Sequence, residues 1–203
     1  MELLTTGITF FFFFCIVMYV LLLCSLFVFS IGIERAMYFR RMDSGRAFAR
    51  DFYLALANNK WQKAEQLADH ARGALADILF AVITKKPEAR KNPSAYMEIQ
   101  SGIALAKMRK RLYYLSVIVT MAPLLGLLGT ISGMITSFSV FNLESGQATA
   151  ITGGVGEALI ATAMGLCVAI ISLTVHAYFS QRIENVVTDM EQCFSMVETA
   201  AAE

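Results

Sequence analysis

The feature that most constrains this chain is a pair of apolar runs that share one pattern of small and hydroxyl residues. The first extends from about Leu112 to Leu143 and the second from Glu157 to Tyr178, and each is long enough to cross a bilayer as a helix. In the first, Gly126, Thr130, Gly133 and Ser137 recur at steps of four, three and four. In the second, Ala158, Thr162, Gly165, Ala169, Ser172 and His176 follow steps of four, three, four, three and four. Such spacing gathers these residues on one helical face and leaves leucine and isoleucine on the others. Helices in lipid gain nothing from burying apolar surface against each other, so a small-residue face implies close packing on protein or a lumen. Ser139 to Gly156, with Glu144-Ser145-Gly146-Gln147 near its middle, predicts a turn that makes the two runs an antiparallel hairpin. Counted outward from Gln147, Thr130 and Thr162 fall at nearly one depth.

The rest of the chain places that hairpin in a membrane protein. With 203 residues, 57% of them hydrophobic, and a mean hydropathy of +0.58, it is too apolar for a soluble domain and too short for a large transporter. The net charge of +1 hides a segregation: of 17 Lys and Arg, all but Arg182 lie between Arg35 and Arg111. By the positive-inside bias that segment is cytoplasmic. A third apolar run, from Phe10-Phe11-Phe12-Phe13-Phe14 to Ile33, reads as a retained first span rather than a secretory signal. Glu2 is its only early charge, and its core exceeds the length of a signal's apolar region. Arg35, Arg40 and Arg41 on its C-terminal side predict an outer N-terminus and an inner C-terminus.

The expected organisation is an all-α, three-span protein with an outer N-terminus and first span at 1–33 and a cytoplasmic helical domain at 34–111. The second span follows at 112–142, an outer loop at 143–153, the third span at 154–179 and a cytoplasmic helical tail at 180–203. In the cytoplasmic domain Phe48, Phe52, Leu54 and Leu56 form a packing face, Asn59 with Gln62 predicts a helix cap, and Gly73 interrupts. Asn92-Pro93 predicts the start of a helix unbroken to Leu143, ~75 Å long, of which half projects inward. Ile183, Val186, Val187, Met190, Phe194 and Val197 extend the third helix inward as well.

The chemistry of a soluble enzyme is missing from the sequence. Cys15, Cys24, Cys167 and Cys193 lack metal-ligand spacing and read as small buried hydrophobes. There is no nucleophile–base pair, metal cluster or phosphate loop, so no enzyme, cofactor or metal is expected. Trp61 has basic neighbours, but acidic residues are interleaved throughout, which argues against nucleic acid. Glu157 and His176 are the ionisable side chains of the hairpin's apolar zone. An intramembrane carboxylate marks a path or a paired site, although Glu157 in the first turn of its helix also suits the helix dipole.

Two segments give a specific resemblance. Ala122-Pro123-Leu124-Leu125-Gly126-Leu127-Leu128-Gly129-Thr130 through Met134-Ile135, followed by Glu157-Ala158-Leu159-Ile160-Ala161-Thr162-Ala163-Met164-Gly165-Leu166, resembles the second- and third-span signatures of the MotA/TolQ/ExbB proton-channel family. The likeness is nearest to ExbB and TolQ and covers roughly the last half of the chain. It implies that Thr130 and Thr162 line a pore with Glu157 beside the proton path. Ser137, Ser172 and His176 join them from the same stripes, while Gly126, Gly129, Gly133, Gly165 and Pro123 serve helix packing. The resemblance also implies a homo-oligomeric ring, a pentamer around the single spans of an ExbD-like dimer, working on a TonB-like transducer from the bacterial inner membrane. The inner end departs from the family's usual Ala-Ile-Pro-Ala and Tyr-Asn, with Ala169-Ile170-Ile171-Ser172 and His176-Ala177 instead. A TolQ-like motor, a flagellar-stator subunit and a non-conducting membrane scaffold remain as alternatives.

Overall fold

The computed structural model describes residues 2–141 and 148–202, and every regular element among them is a helix. In chain order these are α1 (Glu2–Met42), α2 (Arg46–Ala57), α3 (Trp61–His70), α4 (Ala74–Ile83), α5 (Pro87–Arg90), α6 (Pro93–Arg109), α7 (Leu112–Phe141) and α8 (Ala148–Ala202). Three helices are long and apolar enough to cross a membrane. The all-α, three-span expectation is therefore met. The turn expected at Glu144 to Gln147 lies outside the described residues. By Cα proximity the chain divides into two compact units, Met1–Gly32 with Arg111–Ala177 and Ile33–Lys110 with Tyr178–Glu203.

The first unit is built from the N-terminal part of α1, from α7 and from the first part of α8. Val17 and Gly129 bring α1 against α7, Gly32 and Val175 bring it against α8, and the Phe27 and Tyr114 rings meet edge to face at 6.3 Å. Outward from these contacts, Phe12, Tyr19, Leu23, Leu124, Leu159 and Ile170 are all exposed. Hydrocarbon covers such side chains at no cost, whereas water penalises them by ~25 cal/mol per Å².

In the second unit the core holds Phe52, Leu79, Met97, Met108, Ile183 and Met190, each almost wholly buried. The apolar face expected on α2 is present at Phe48, Phe52 and Leu56, but Leu54 points outward and is half exposed. Asn92 caps α6 as expected, its Oδ1 accepting the Ala95 N–H at 3.1 Å, with Pro93 in the first turn. Asn59 does not cap α3. It adopts φ 60, the left-handed turn conformation open to asparagine, and its Oδ1 accepts from Trp61 Nε1 at 3.0 Å. Of the four cysteines read as buried, only Cys193 is; Cys15 and Cys24 are half-buried and Cys167 is exposed.

The expectation of one long helix is also overturned. The helix from Pro93 to Leu143 is not continuous: α6 ends at Arg109, Lys110 takes ψ 135, and Arg111 takes φ 73 before α7 begins. No Gly or Pro marks the spot, and a left-handed L-residue costs ~1–2 kcal/mol. Arg35, which reads in the sequence as a topological charge, is 97% buried, at 3% exposure. Its Nη1 donates to the carbonyls of Lys107 at 3.1 Å and Met108 at 3.2 Å. By contrast α8 runs unbroken for 55 residues.

Burial pushes the Cys193 thiol up to about 12 from 9.0, with Asp189 adding to the effect. A thiol must ionise to react, so alkylation of Cys193 at pH 8 is expected to be about a thousandfold slower in the folded protein than in the unfolded chain. A peptide-resolved mass-spectrometric time course checks this; equal rates would contradict the burial.

Candidate functional site

Small residues bring the α7 and α8 backbones into direct contact. A Cβ placed on Gly126 would lie 3.0 Å from the Ala161 carbonyl oxygen and 3.1 Å from the Thr162 Cα. One on Gly165 would lie 3.0 Å from the Gly126 Cα and would also strike the Ala122 carbonyl oxygen. Gly129 faces the Ala161 methyl and Gly133 the Ala158 methyl, where added Cβ atoms would sit at 2.8 and 3.0 Å. Ala158, Ala161 and Ala169 are buried on the same face. Pro123 lies inside α7, half-buried, and the helix passes through it.

This contact sets the register: Gly126 sits between Thr162 and Gly165, and Gly129 meets Ala161. Thr130 and Thr162 are each one residue from the Gly129–Ala161 contact, so the two hydroxyls lie at nearly one depth. Thr162 Oγ1 donates across the interface to the Gly126 carbonyl at 3.3 Å. Thr130 Oγ1 donates within its own helix to Leu127 at 2.7 Å. Both side chains are half-buried, and each hydroxyl oxygen keeps acceptor capacity.

The remaining sequence candidates fall in three places. Ser137 is buried and donates to the Gly133 carbonyl at 2.8 Å, with Gly154 packed against it. Ser172 is fully buried and donates across the hairpin to the Leu115 carbonyl at 3.0 Å. Glu157 is exposed, one residue before the buried Ala158 and so off the contact face, and His176 is half-buried. The structure thus joins Gly126, Gly129, Gly133, Gly165, Ser137, Thr162 and Ser172 in one seam with Thr130 at its edge, and leaves Glu157 outside it. Ser132, also buried, was not singled out from the sequence. Its position beside Gly129 and Gly133 was the available signal.

The second unit has a polar cluster of its own. Asp43, ahead of α2, accepts the Gly45 N–H at 2.9 Å on one carboxylate oxygen and the Arg182 guanidinium on the other. Arg46 donates to Asn185 Oδ1 at 2.6 Å. An open cavity of about 420 Å³ lies over these groups, lined also by Tyr178 and Asp189. The hydrogen bond to Asp43 holds the Arg182 guanidinium above its usual range. Burial raises the Asp189 carboxyl, Arg46 pulls it back and Asp43 adds to the rise. Arg182, the one Lys or Arg outside the segment from Arg35 to Arg111, is thereby tied to Asp43. Among the described residues no three His, Cys, Asp or Glu side chains converge in a way that could hold a metal ion.

Comparison with known proteins agrees with the hairpin's chemistry. Residues 65–192 match the MotA/TolQ/ExbB proton channel family, which covers more than half of the chain, and the chain belongs to that family. It is 34% identical over 165 residues to the biopolymer transport protein ExbB-like 1 of Synechocystis sp., an alignment that spans 79% of this chain and 65% of the relative. ExbB-like 3 of the same organism is 47% identical over 77 residues, 36% of each chain. The Tol-Pal system protein TolQ of Pseudomonas aeruginosa is 33% identical over 104 residues, 46% of this chain and 44% of TolQ. The chain therefore spans less than two thirds of these relatives. It is an integral membrane protein of a channel family, not of an enzyme class.

The seam makes a graded prediction. Ser172→Ala and Thr162→Val, which delete hydroxyl bonds between helices, are expected to lower stability by ~0.5–1.5 kcal/mol. Thr130→Val, which deletes only a bond within its own helix, is expected to cost less. Gly165→Val drives a side chain into backbone and is expected to cost the most, ~3 kcal/mol or more. Reversible unfolding in detergent micelles gives the order, and an equal cost for Thr130→Val and Ser172→Ala would contradict the bond assignments.

Proposed function

We propose that this chain is the channel-forming subunit of a proton-motive-force-driven motor in the bacterial inner membrane, of the ExbB–ExbD–TonB type. A three-span chain cannot enclose a lumen alone, so the working form is a homo-oligomeric ring, a pentamer around the single spans of an ExbD-like dimer. The observation that carries this reading is the pair of hydroxyls at Thr130 and Thr162, half-buried in and beside a glycine seam, with their protons donated to carbonyls of this chain. Their oxygens remain as acceptors for a proton donor brought by the partner. Ser137, Ser172 and His176 flank the path, and Glu157 lies at its outer end.

The essential titratable carboxylate comes from that partner. Between Glu157 and His176 no acidic or basic side chain interrupts α8, a distance of ~28 Å, and hydroxyls do not titrate near neutral pH. An Asp on an inserted helix facing Thr130 and Thr162 would fill the gap. Proton flux in vesicles is expected to be low for this chain alone, to rise with the partner and to vanish when the partner's Asp is replaced. Thr130→Val with Thr162→Val is expected to reduce flux at least tenfold while the ring stays intact. Strong selective flux from this chain alone would refute the reading. Unchanged flux in the double variant would remove the two hydroxyls from the path, and absence of flux even with the partner would favour a non-conducting scaffold.

A TolQ-like motor is a second reading, favoured by the likeness to TolQ of Pseudomonas aeruginosa. Co-purification with a TonB-like or a Tol-type transducer separates the two. In either case the N-terminus is periplasmic and the C-terminus cytoplasmic, because the basic residues lie between the first and second spans. Membrane-impermeant labelling is expected to reach a probe at Gln147 from outside and one at Lys60 only from inside. The opposite pattern would invert the topology.

A further inference from the structure

We infer that a cleft in the second unit receives the outward face of α2 from a neighbouring copy of this chain. The inference deepens the proposed ring by naming a contact between its subunits outside the spans, and it rests on that reading. The cleft is open, about 1110 Å³ in volume, and its walls come from α3 to α6 and the end of α8, all within one unit. Val82, Met97 and Val197 give it a buried apolar floor, with Trp61 half-buried beside them. Two helix ends fix its rim. α2 and α4 each stop at a left-handed residue other than glycine, Asn59 at φ 60 and Lys85 at φ 51. In each case the following N–H bonds back to a carbonyl of the last turn, Lys60 to Ala55 at 2.9 Å and Lys86 to Ala81 at 3.1 Å. Trp61 Nε1 donates to Asn59 Oδ1 at 3.0 Å, which holds the indole in place, and the second turn delivers Lys85 to the lining. The cleft is shaped before anything enters it, which lowers the entropic cost of docking.

Charge and helical period select the occupant. Glu65 and Glu198 line the cleft, with Lys85 as a cation among them, and all three are exposed. Among the described residues none of the lining belongs to α2. The side of α2 turned away from Phe48, Phe52 and Leu56 presents Arg50, Tyr53, Leu54 and Ala57, all exposed, with Tyr53 at 41% and Leu54 at 50%. Their spacing is that of a helix that seats anchors in a groove. Tyr53 and Leu54 supply apolar anchors for the floor, and Arg50, its side chain 74% exposed, supplies a forked guanidinium for the two carboxylates. Asp51, 3.5 Å from Arg50 and half exposed, is the matching anion for Lys85. A ring closes only when unlike patches meet, a face of one subunit on a different face of the next. The cleft and the α2 stripe are such a pair.

The test uses two full-length copies with different tags, co-expressed in membranes, one carrying Leu54→Cys and the other Gln62→Cys. Mild oxidation is expected to give mixed-tag dimers at least tenfold above either copy oxidised alone and above the unsubstituted chain, whose native cysteines set the background. Adding Glu65→Arg and Glu198→Arg to the Gln62→Cys copy is expected to cut the yield at least fivefold, and Arg50→Glu on the Leu54→Cys copy is expected to restore at least half of it. An oligomer of unchanged size that gives no mixed-tag dimer would overturn the docking and leave the proposed ring standing. A chain that stays monomeric in mild detergent would overturn the ring, and the docking with it. A loss that Arg50→Glu does not restore, or a Gln62→Cys copy that captures only a different protein, would also overturn the docking.

Discussion

Two peptide backbones in van der Waals contact, at Gly126 on α7 and Gly165 on α8, are the constraint on which the rest of the membrane unit depends. Without Cβ atoms at these points the helices approach closely enough for one hydroxyl, Thr162, to reach a carbonyl on the opposite helix. Dispersion and such hydrogen bonds are the forces available to hold helices together in hydrocarbon, and both fall steeply with distance. The glycines therefore do more than permit packing. They select the register, and the register decides which side chains are sealed in the seam and which stand at its edge.

Ser172 and Thr130 show the effect. Ser172 lies on the α8 stripe at a level where Leu115 is opposite, so its hydroxyl is buried and satisfied across the seam. Thr130 belongs to the equivalent stripe of α7 but is rotated to the edge, where its own helix supplies the acceptor. Hydroxyl residues at the same helical spacing thus take different work according to what lies beside them. Glu157 illustrates the other side: one position away from a buried alanine, it faces outward whatever its chemistry.

The spans, the small-residue seam and the Asn92 cap were legible in the sequence because each follows from local composition and helical period. The break at Lys110 and Arg111 was not, because no glycine or proline marks it. Arg35 and Arg182 share a cause of misreading. Sequence analysis treats basic residues as topological charges, by number and side, whereas burial turns Arg35 into a ligand for helix carbonyls and pairing turns Arg182 into a clamp on Asp43.

On the proposed function, the direction of the hydroxyl protons matters more than the presence of hydroxyls. A threonine has one proton to give and two lone pairs to offer. Thr130 and Thr162 both give theirs to backbone carbonyls of this chain, which the apolar surroundings favour because an unmatched hydroxyl proton in hydrocarbon is costly. What such an edge offers a neighbouring helix is acceptors alone. Acceptors stabilise a protonated carboxylic acid, which has a proton to donate, and do little for a carboxylate, which has none. An acid arriving at these hydroxyls would therefore stay neutral longer than in water, its pKa raised by desolvation and by hydrogen bonds made only in the protonated form. In the proposed motor, a subunit built this way leaves the carrying of protons to its partner: it makes the apolar zone hospitable to the partner's neutral acid and leaves ionisation to the wetter ends of the path.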